Sequence, residues 1–368
     1  MVEYFVTCPM FGMLKGLIPT GGRGTRLRPF TFSTNKHLIP IANKPLVFYP
    51  IEALAKAGIK DIGIVTNDTR PEIEKVLGTG KQWGVNFTYI DQPYPGGLAH
   101  VIQVSEKFLK GSRFVFHLGD NLFTEGIGEP LARFVKTKAN ALAPYLHHKD
   151  NRRLGVPYFN TKGKLMKYVE KPANPPHDLA VPGLYFFDHN VFKCFSGRDK
   201  ITPSKRGELE IGSVYQWLME HGYYVETYEI DGWWRDPGQL CDITEANRLV
   251  MEQKAEFIIQ SPLIKKSKLI GKVGVGKGSK IYNSVIEGPV LIGDNVEIAK
   301  SYIGPYTSIY HNCKIKEAKI ENSVIMEGTI IEKVKRRIDQ SFIGKEVTIT
   351  GKNRNHRLII SDLSEVHL

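Results

Sequence analysis

Cysteine is scarce. The 368 residues hold four, Cys8, Cys194, Cys241 and Cys313, and no pair of them has the spacing of a zinc or dithiol redox motif. Reduced thiols in a cytoplasmic protein are the expectation. Long apolar runs are missing as well: none approaches the ~18 residues that a bilayer crossing needs, so no membrane is expected as a partner. The first twelve residues lack a basic start followed by an apolar core, so they do not read as a signal peptide. With Met13 just before the first strand, residues 1–12 read as an extension or an upstream start. A P-loop is absent, because nothing has four residues between a glycine and Gly-Lys-Ser/Thr. The dinucleotide fingerprint is also broken, Leu27 standing where its third glycine belongs. No Ser/His/Asp set occurs at a recognisable spacing.

Charge is not scarce. Fifty Lys and Arg against 38 Asp and Glu leave a formal net charge of +12. An RNA-binding motif with paired aromatics is lacking, so nucleic acid is not an expected partner. A cationic cleft that steers small polyanions is the better use of such an excess. Much of it falls late, at Lys333, Lys335, Arg336, Arg337, Lys352, Arg354 and Arg357, and reads as a solvated face.

The richest local signal is Thr20-Gly21-Gly22-Arg23-Gly24-Thr25-Arg26-Leu27-Arg28-Pro29, followed by Lys36, Pro40 and Lys44-Pro45. It comes after Leu14 to Ile18, a short apolar run that reads as a buried strand. Glycines let the backbone turn sharply and approach a ligand closely. Successive N–H groups in such a turn form a nest that suits an anion, and the nearby cations would neutralise a polyphosphate.

The first ~245 residues alternate strand and helix, a pattern that implies a mainly parallel sheet with ligands at the carboxyl ends of its strands. Strands are expected at Asp61 to Thr66, Asn86 to Ile90 and Arg113 to Leu118. Helices are expected at Leu46 to Ala57, Pro71 to Leu77 and Leu98 to Phe108. Both the glycine turn and Leu118-Gly119-Asp120 fall at strand ends. After about Asp150 short strands and proline-rich turns take over, as in a lobe that closes over a ligand.

From about Leu263 the texture changes. Ser-aromatic-or-Val-Ile recurs at Ser284, Ser301, Ser323 and Ser341, at intervals of 17, 22 and 18. Aliphatics return about every six residues, as in Ile286, Ile292 and Ile298. Three such sides make an ~18-residue coil, the signature of a parallel β-helix. A β-sandwich would instead show strict alternation.

Seven blocks together resemble the sugar-nucleotide pyrophosphorylases, a nucleotidyltransferase family, and most closely its glucose-1-phosphate thymidylyltransferases. They are the glycine turn; Gln92-Pro93 to Gly97-Leu98-Ala99; Leu118 to Asn121; Val169-Glu170-Lys171-Pro172; Ala180 to Asp188; Arg206 to Ile211; and Trp233 to Gly238. The resemblance covers almost the whole chain. It implies an α/β fold, a Rossmann-like (GT-A-like) mixed-sheet domain over 13–250 with a sugar-binding lobe at about 150–230. A linker over 251–262 and a left-handed parallel β-helix over 263–368 would follow.

The activity implied is Mg2+-dependent conversion of dTTP and α-D-glucose 1-phosphate to dTDP-glucose and pyrophosphate. The roles implied place Asp120 and Asp236 on the metal, although Asp120 could cap the next segment and Asp236 could open a Pro-Gly turn. Arg26 and Lys36 would stabilise the leaving phosphates, and Lys171 would hold the phosphate of the sugar. Gly21, Gly22, Gly24 and Thr25 would form the nucleotide turn. Gln92 and the Gly97 backbone would read the base, a Gln amide offering both a donor and an acceptor. Glu170, Gly183 and Tyr185 would receive the sugar. Trp234 would cover it or pack in the core, and Glu208 would bind ligand or stabilise a helix N-terminus.

Three positions depart from the family pattern: Pro19-Thr20 before the glycines, His100, and Pro237 after the second aspartate. Other activities stay open. They are a UTP-dependent uridylyltransferase, a bifunctional enzyme with acyltransfer on the β-helix around His311, and a non-catalytic nucleotide-sugar-binding regulator. A homo-oligomer assembled through the β-helix is also expected.

Overall fold

The computed structural model describes residues 14–22, 24–260, 263–351, 359–360, 362 and 365–367. The expected extension at 1–12 lies outside these residues, as do Cys8, Lys352, Arg354 and Arg357. Packing divides the chain into two units. One runs up to Gly22 and resumes over Val47–Trp234; the other consists of Arg23–Leu46 and Arg235–Leu368.

The first unit is built on a mixed sheet. Its longer strands are β1 (Leu14–Pro19), β2 (Asp61–Thr66), β3 (Asn86–Asp91), β4 (Arg113–His117), β5 (Ala141–His147), β6 (Leu184–Phe187) and β7 (Val225–Glu229), and the short Leu179–Ala180 pairs antiparallel with β5. β1 lies between β2 and β4, and β3 flanks β2, all parallel. β6 runs antiparallel to both β4 and β5, and β7 pairs parallel with β5. The parallel centre carries near-continuous apolar runs, as strands covered on both faces should. Leu17, Ile18, Ile62, Ile64, Val115 and Phe116 are fully or almost fully buried.

The helices begin and end for local reasons. The Arg70–Leu77 helix carries proline at its start and stops at Gly78, whose φ is 60°. Phe48–Lys56 ends before Gly58, φ 83°. It starts later than the apolar pattern suggests, because Leu46 and Val47 are buried in the approach to the helix. The expected Leu98 to Phe108 helix is split into Leu98–Val104 and Glu106–Leu109. Ser105 breaks it by turning its hydroxyl back to the Val101 carbonyl at 2.7 Å. An antiparallel hairpin, Gly155–Phe159 with Leu165–Glu170, stands apart from the large sheet.

The second unit contains the β-helix. Three parallel sheets stack strands such as Lys280–Tyr282, Glu297–Ala299 and Lys314–Lys316 on one side, Val285–Glu287 and Tyr302–Ile303 on the next, and Val290–Ile292 and Thr307–Ile309 on the third. The inward residues form one aliphatic column in which Ile281, Ile286, Ile298, Ile303, Ile309 and Ile315 are completely buried. Ile281 pairs with Ile298, and Ile298 with Ile315, so these coils contain 17 residues rather than 18.

The serine motif turns out to mark two different corners. Ser284 Oγ accepts from the Ser301 amide one coil on, whereas Ser323 Oγ accepts from the Ser341 amide. The odd interval of 22 is one coil plus one side. Also in this unit are a helix, α1 (Leu240–Gln253), and a two-residue hairpin in which Pro40–Ile41 pairs with Lys44–Pro45.

Candidate active site

The glycine turn begins in the first unit, at the carboxyl end of β1. Thr20 is fully buried, and its amide and hydroxyl both donate to the Val65 carbonyl, at 2.7 and 3.1 Å. The polarity that Thr20 brings to this position is thus spent on the backbone. Asn67 holds the next residue by donating to the Gly21 carbonyl. Gly22 completes the portion of the turn that belongs to this unit.

Gln92 follows β3, with its amide donating to the Thr66 carbonyl at 2.8 Å. Its side-chain nitrogen lies 3.4 Å from the Gly97 carbonyl and 3.2 Å from Nδ1 of His100, so two of the proposed base-reading groups and one departure meet. His100 is buried under the Tyr94 ring, centroids 4.4 Å apart, and that burial pushes its pKa down. Gly97 has φ 96°, and a Cβ there would lie 2.5 Å from the Leu209 carbonyl oxygen. Only glycine fits that position.

Asp120 sits in the turn after β4, in which the Asn121 amide donates to the Leu118 carbonyl at 3.3 Å. The Asp120 carboxylate is buried and accepts from Asn121 Nδ2 at 2.9 Å. Asn121 Oδ1 in turn accepts from the Gly183 amide at 3.0 Å and from the Trp234 indole at 2.6 Å. Sequence reading placed Asn121 inside a matched block without giving it a role. Trp234 is only 4% exposed, with its ring edge-on to His148.

A narrow cleft opens in the same unit, lined by Gly155, Tyr168, Glu170, Val181, Tyr185 and Gly212 among others. Glu170 and Tyr185, both assigned to the sugar, therefore share one cleft. Lys171 follows with φ 48°, and its Nζ lies 3.4 Å from Glu170 Oε1. Burial raises the Glu170 pKa above the ordinary value, against the opposing pull of Lys171 and, more weakly, Arg206. Arg206 Nη2 is 3.9 Å from Glu170, 3.5 Å from Glu208 and 2.7 Å from Glu210. Glu208 thus pairs with a cation two residues away, and the helix it precedes begins only at Ile211.

Two further residues had no role in the sequence reading. Arg206 was legible as a member of a matched block. Tyr168 left no signal: its hydroxyl is buried without a hydrogen-bond partner among the described residues.

In the second unit, Gly24 has φ 56°, and a Cβ there would come within 3.1 Å of Lys36 Cβ. Thr25 to Leu27 form one 3-10 turn, so Arg26 follows Gly24 without an intervening α-helix. The Arg26 guanidinium covers Gly238, where a Cβ would lie 3.1 Å from Nη2. Asp236 opens that tight turn by accepting the Gly238 amide at 2.6 Å through its carbonyl. Gly24, Arg26, Lys36 and the Asp236–Gly238 turn are thus neighbours within one unit. His311 Nδ1 accepts the Asp294 amide at 2.9 Å, so the neutral ring carries its proton on Nε2.

Among the described residues no group of three His, Cys, Asp or Glu side chains gathers as a metal cage. No helix among them is long and apolar enough to cross a membrane.

Comparison with known proteins locates a nucleotidyl transferase domain over residues 15–253. A glucose-1-phosphate thymidylyltransferase of Streptomyces antibioticus is 38% identical over 359 residues, spanning 96% of this chain and 99% of that one. A low-salt glycan biosynthesis nucleotidyltransferase of Haloferax volcanii is 35% identical over 362 residues, 96% of this chain and all of that one. A solved Bacillus anthracis structure, named for a glucose-1-phosphate thymidylyltransferase and complexed with sucrose, superposes with a TM-score of 0.61 at 34% identity. It covers 67% of this chain and 98% of that one.

Proposed function

This chain belongs to the nucleotidyl transferase family, and we propose that it joins dTTP to glucose 1-phosphate, giving dTDP-glucose and pyrophosphate. The observation that carries this reading is the 38% identity that runs nearly end to end with a glucose-1-phosphate thymidylyltransferase.

Two anions must meet for this reaction. One pair of unit charges 4 Å apart costs about 4 kcal/mol at an effective dielectric of 20, so cations and orientation are what the protein must supply. A phosphate oxygen of the sugar phosphate attacks the α-phosphorus in line. The new P–O bond forms as the α–β bridge breaks, and pyrophosphate departs with the bonding electron pair. No protein nucleophile is needed.

The chain's groups suit those tasks. Arg26 and Lys36, neighbours of Gly24, take up charge on the leaving phosphates. Lys171 grips the phosphate of the sugar, and Glu170 accepts from sugar hydroxyls in the cleft it lines. Gly183 and Tyr185 receive the sugar, Tyr185 from the cleft wall and Gly183 through a backbone that Asn121 ties to the Trp234 indole. Gln92 and Gly97 face the base. Asp120 and Asp236 offer hard carboxylate oxygens that fit Mg2+, an ion usually held by one or two carboxylates with substrate phosphates completing its shell. When bound, Mg2+ would neutralise phosphate charge.

A pyrophosphate-release screen of four nucleoside triphosphates against several sugar 1-phosphates tests the reading. We expect dTTP with glucose 1-phosphate to be the best pair. A preference for UTP would reassign the base, and release with no pair would point to a regulator. Acyltransfer on the β-helix is disfavoured by His311, whose Nδ1 is already engaged. We also propose a cytoplasmic homo-oligomer, since a solenoid offers long flat faces for assembly; a light-scattering mass of one chain would refute the assembly.

A further inference from the structure

The loop that carries Arg26 and Lys36 is fastened to the β-helix inside the second unit, and three separate fastenings hold it. Phe30 and Phe342, both almost fully buried, pack with ring centroids 4.3 Å apart. Ser33 Oγ and Thr34 Oγ1 meet Asp362 Oδ2 at 2.6 and 3.3 Å. The third fastening is the tip of the Pro40–Pro45 hairpin. There Ala42 and Asn43 have φ of 48° and 58°, the two left-handed residues of a tight hairpin turn.

Alanine in that conformation costs about 1–2 kcal/mol, so something must hold it. Asn247, on α1 and 1% exposed, does so. Its Oδ1 accepts from the Ala42 amide at 2.8 Å and from Ser308 Oγ at 2.9 Å, and its Nδ2 donates to the Tyr306 carbonyl at 3.1 Å. Asn43 Nδ2 completes the joint by donating to the Ile309 carbonyl at 2.8 Å. The Thr307–Ile309 strand therefore fixes the hairpin at Asn43 directly and at Ala42 through Asn247.

We propose that the β-helix is a positioning element for catalysis, with Asn247 as the residue that sets the phosphate-binding loop, and hence Arg26 and Lys36, against the coil. This rests on the nucleotidyl transfer reading above. Asn247 touches no substrate in this account; it acts through the loop.

The test is a double-mutant cycle on the full-length chain with dTTP, glucose 1-phosphate and Mg2+. Asn247→Ala is expected to lower kcat roughly tenfold, about 1.4 kcal/mol at the barrier, with the KM for glucose 1-phosphate unchanged. In an Arg26→Ala/Lys36→Ala background the same substitution is expected to cost less than twofold, because both cations it positions are gone. Ser308→Ala, which removes one donor to the same oxygen, should show a weaker form of the same pattern, and it carries the test if Asn247→Ala does not fold. An equal loss in both backgrounds, or a lowered melting temperature with kcat intact, overturns the proposal. Full turnover in Lys36→Ala alone would instead overturn the assignment of Lys36, a separate failure.

Discussion

Asn121 and Trp234, 113 positions apart in sequence, are joined by a 2.6 Å hydrogen bond from the indole N–H to the amide oxygen. The same oxygen takes the Gly183 amide, and the other end of the amide donates to Asp120. One side chain therefore ties together a proposed metal ligand, the Gly183 backbone and a buried ring. Trp234→Phe keeps most of the ring and removes the donor. A stability loss of about 1 kcal/mol is expected, together with a several-fold fall in kcat, read from denaturant midpoints and steady-state rates. An unchanged kcat would confine Trp234 to packing.

Gly183 is as constrained as its partners. A Cβ there would lie 2.3 Å from Asn121 Oδ1 and 2.6 Å from Leu118 Cδ1. Gly183→Ala must push Asn121 aside, so turnover should fall at least tenfold, with pyrophosphate release as the readout. Gly97→Ala meets backbone at Leu209 and a left-handed φ besides. That variant should raise the KM for the triphosphate more than the KM for the sugar phosphate.

Glu170 gives the sugar step a pH dependence. Burial raises its pKa, so its carboxylate gains a proton at a higher pH than an ordinary glutamate does. As pH falls through that raised value the charged acceptor for sugar hydroxyls becomes a weaker, neutral one, and the KM for glucose 1-phosphate should climb. Glu170→Gln should start with a high KM and show no such climb. A wild-type profile that stays flat down to pH 4.5 would contradict the role.

His221 lies against the Trp217 ring and pairs with Asp199. The backbone carbonyl of Trp217 and the Asp199 carboxylate raise the His221 pKa, while His221 lowers that of Asp199. A raised histidine contributes stability that is full below its ordinary value of 6.5 and is lost as pH rises through the folded value. The depressed aspartate contributes above its ordinary 3.8 and loses that contribution as pH falls through its lower folded value. Melting temperatures of the wild type and Asp199→Asn should therefore differ most between those two ordinary values and converge in alkali.

Much of this was legible in the sequence because the signals were local. Gly24, Gly97 and the strand-end Asp120 are marked by conformations or positions that short motifs declare. The β-helix announced itself through Ile286, Ile292 and Ile298, since an inward column must repeat with the coil. Its serines misled, because Ser301 and Ser323 look like the same corner in sequence and occupy different ones in space. The roles of Asn121 and Asn247 were silent for another reason. Their importance lies in partners such as Trp234 and Ser308, more than 60 positions away, and no local spacing encodes such partnerships.

The most direct measurement follows the phosphorus. Incubated with Mg2+ and glucose 1-phosphate, dTTP labelled at the α-phosphorus should deliver its label to the sugar nucleotide, while γ-labelled dTTP should deliver its label only to pyrophosphate. Asp120→Ala should slow both transfers by orders of magnitude. Label appearing as inorganic phosphate, or retained covalently on the protein, would contradict direct attack at the α-phosphorus.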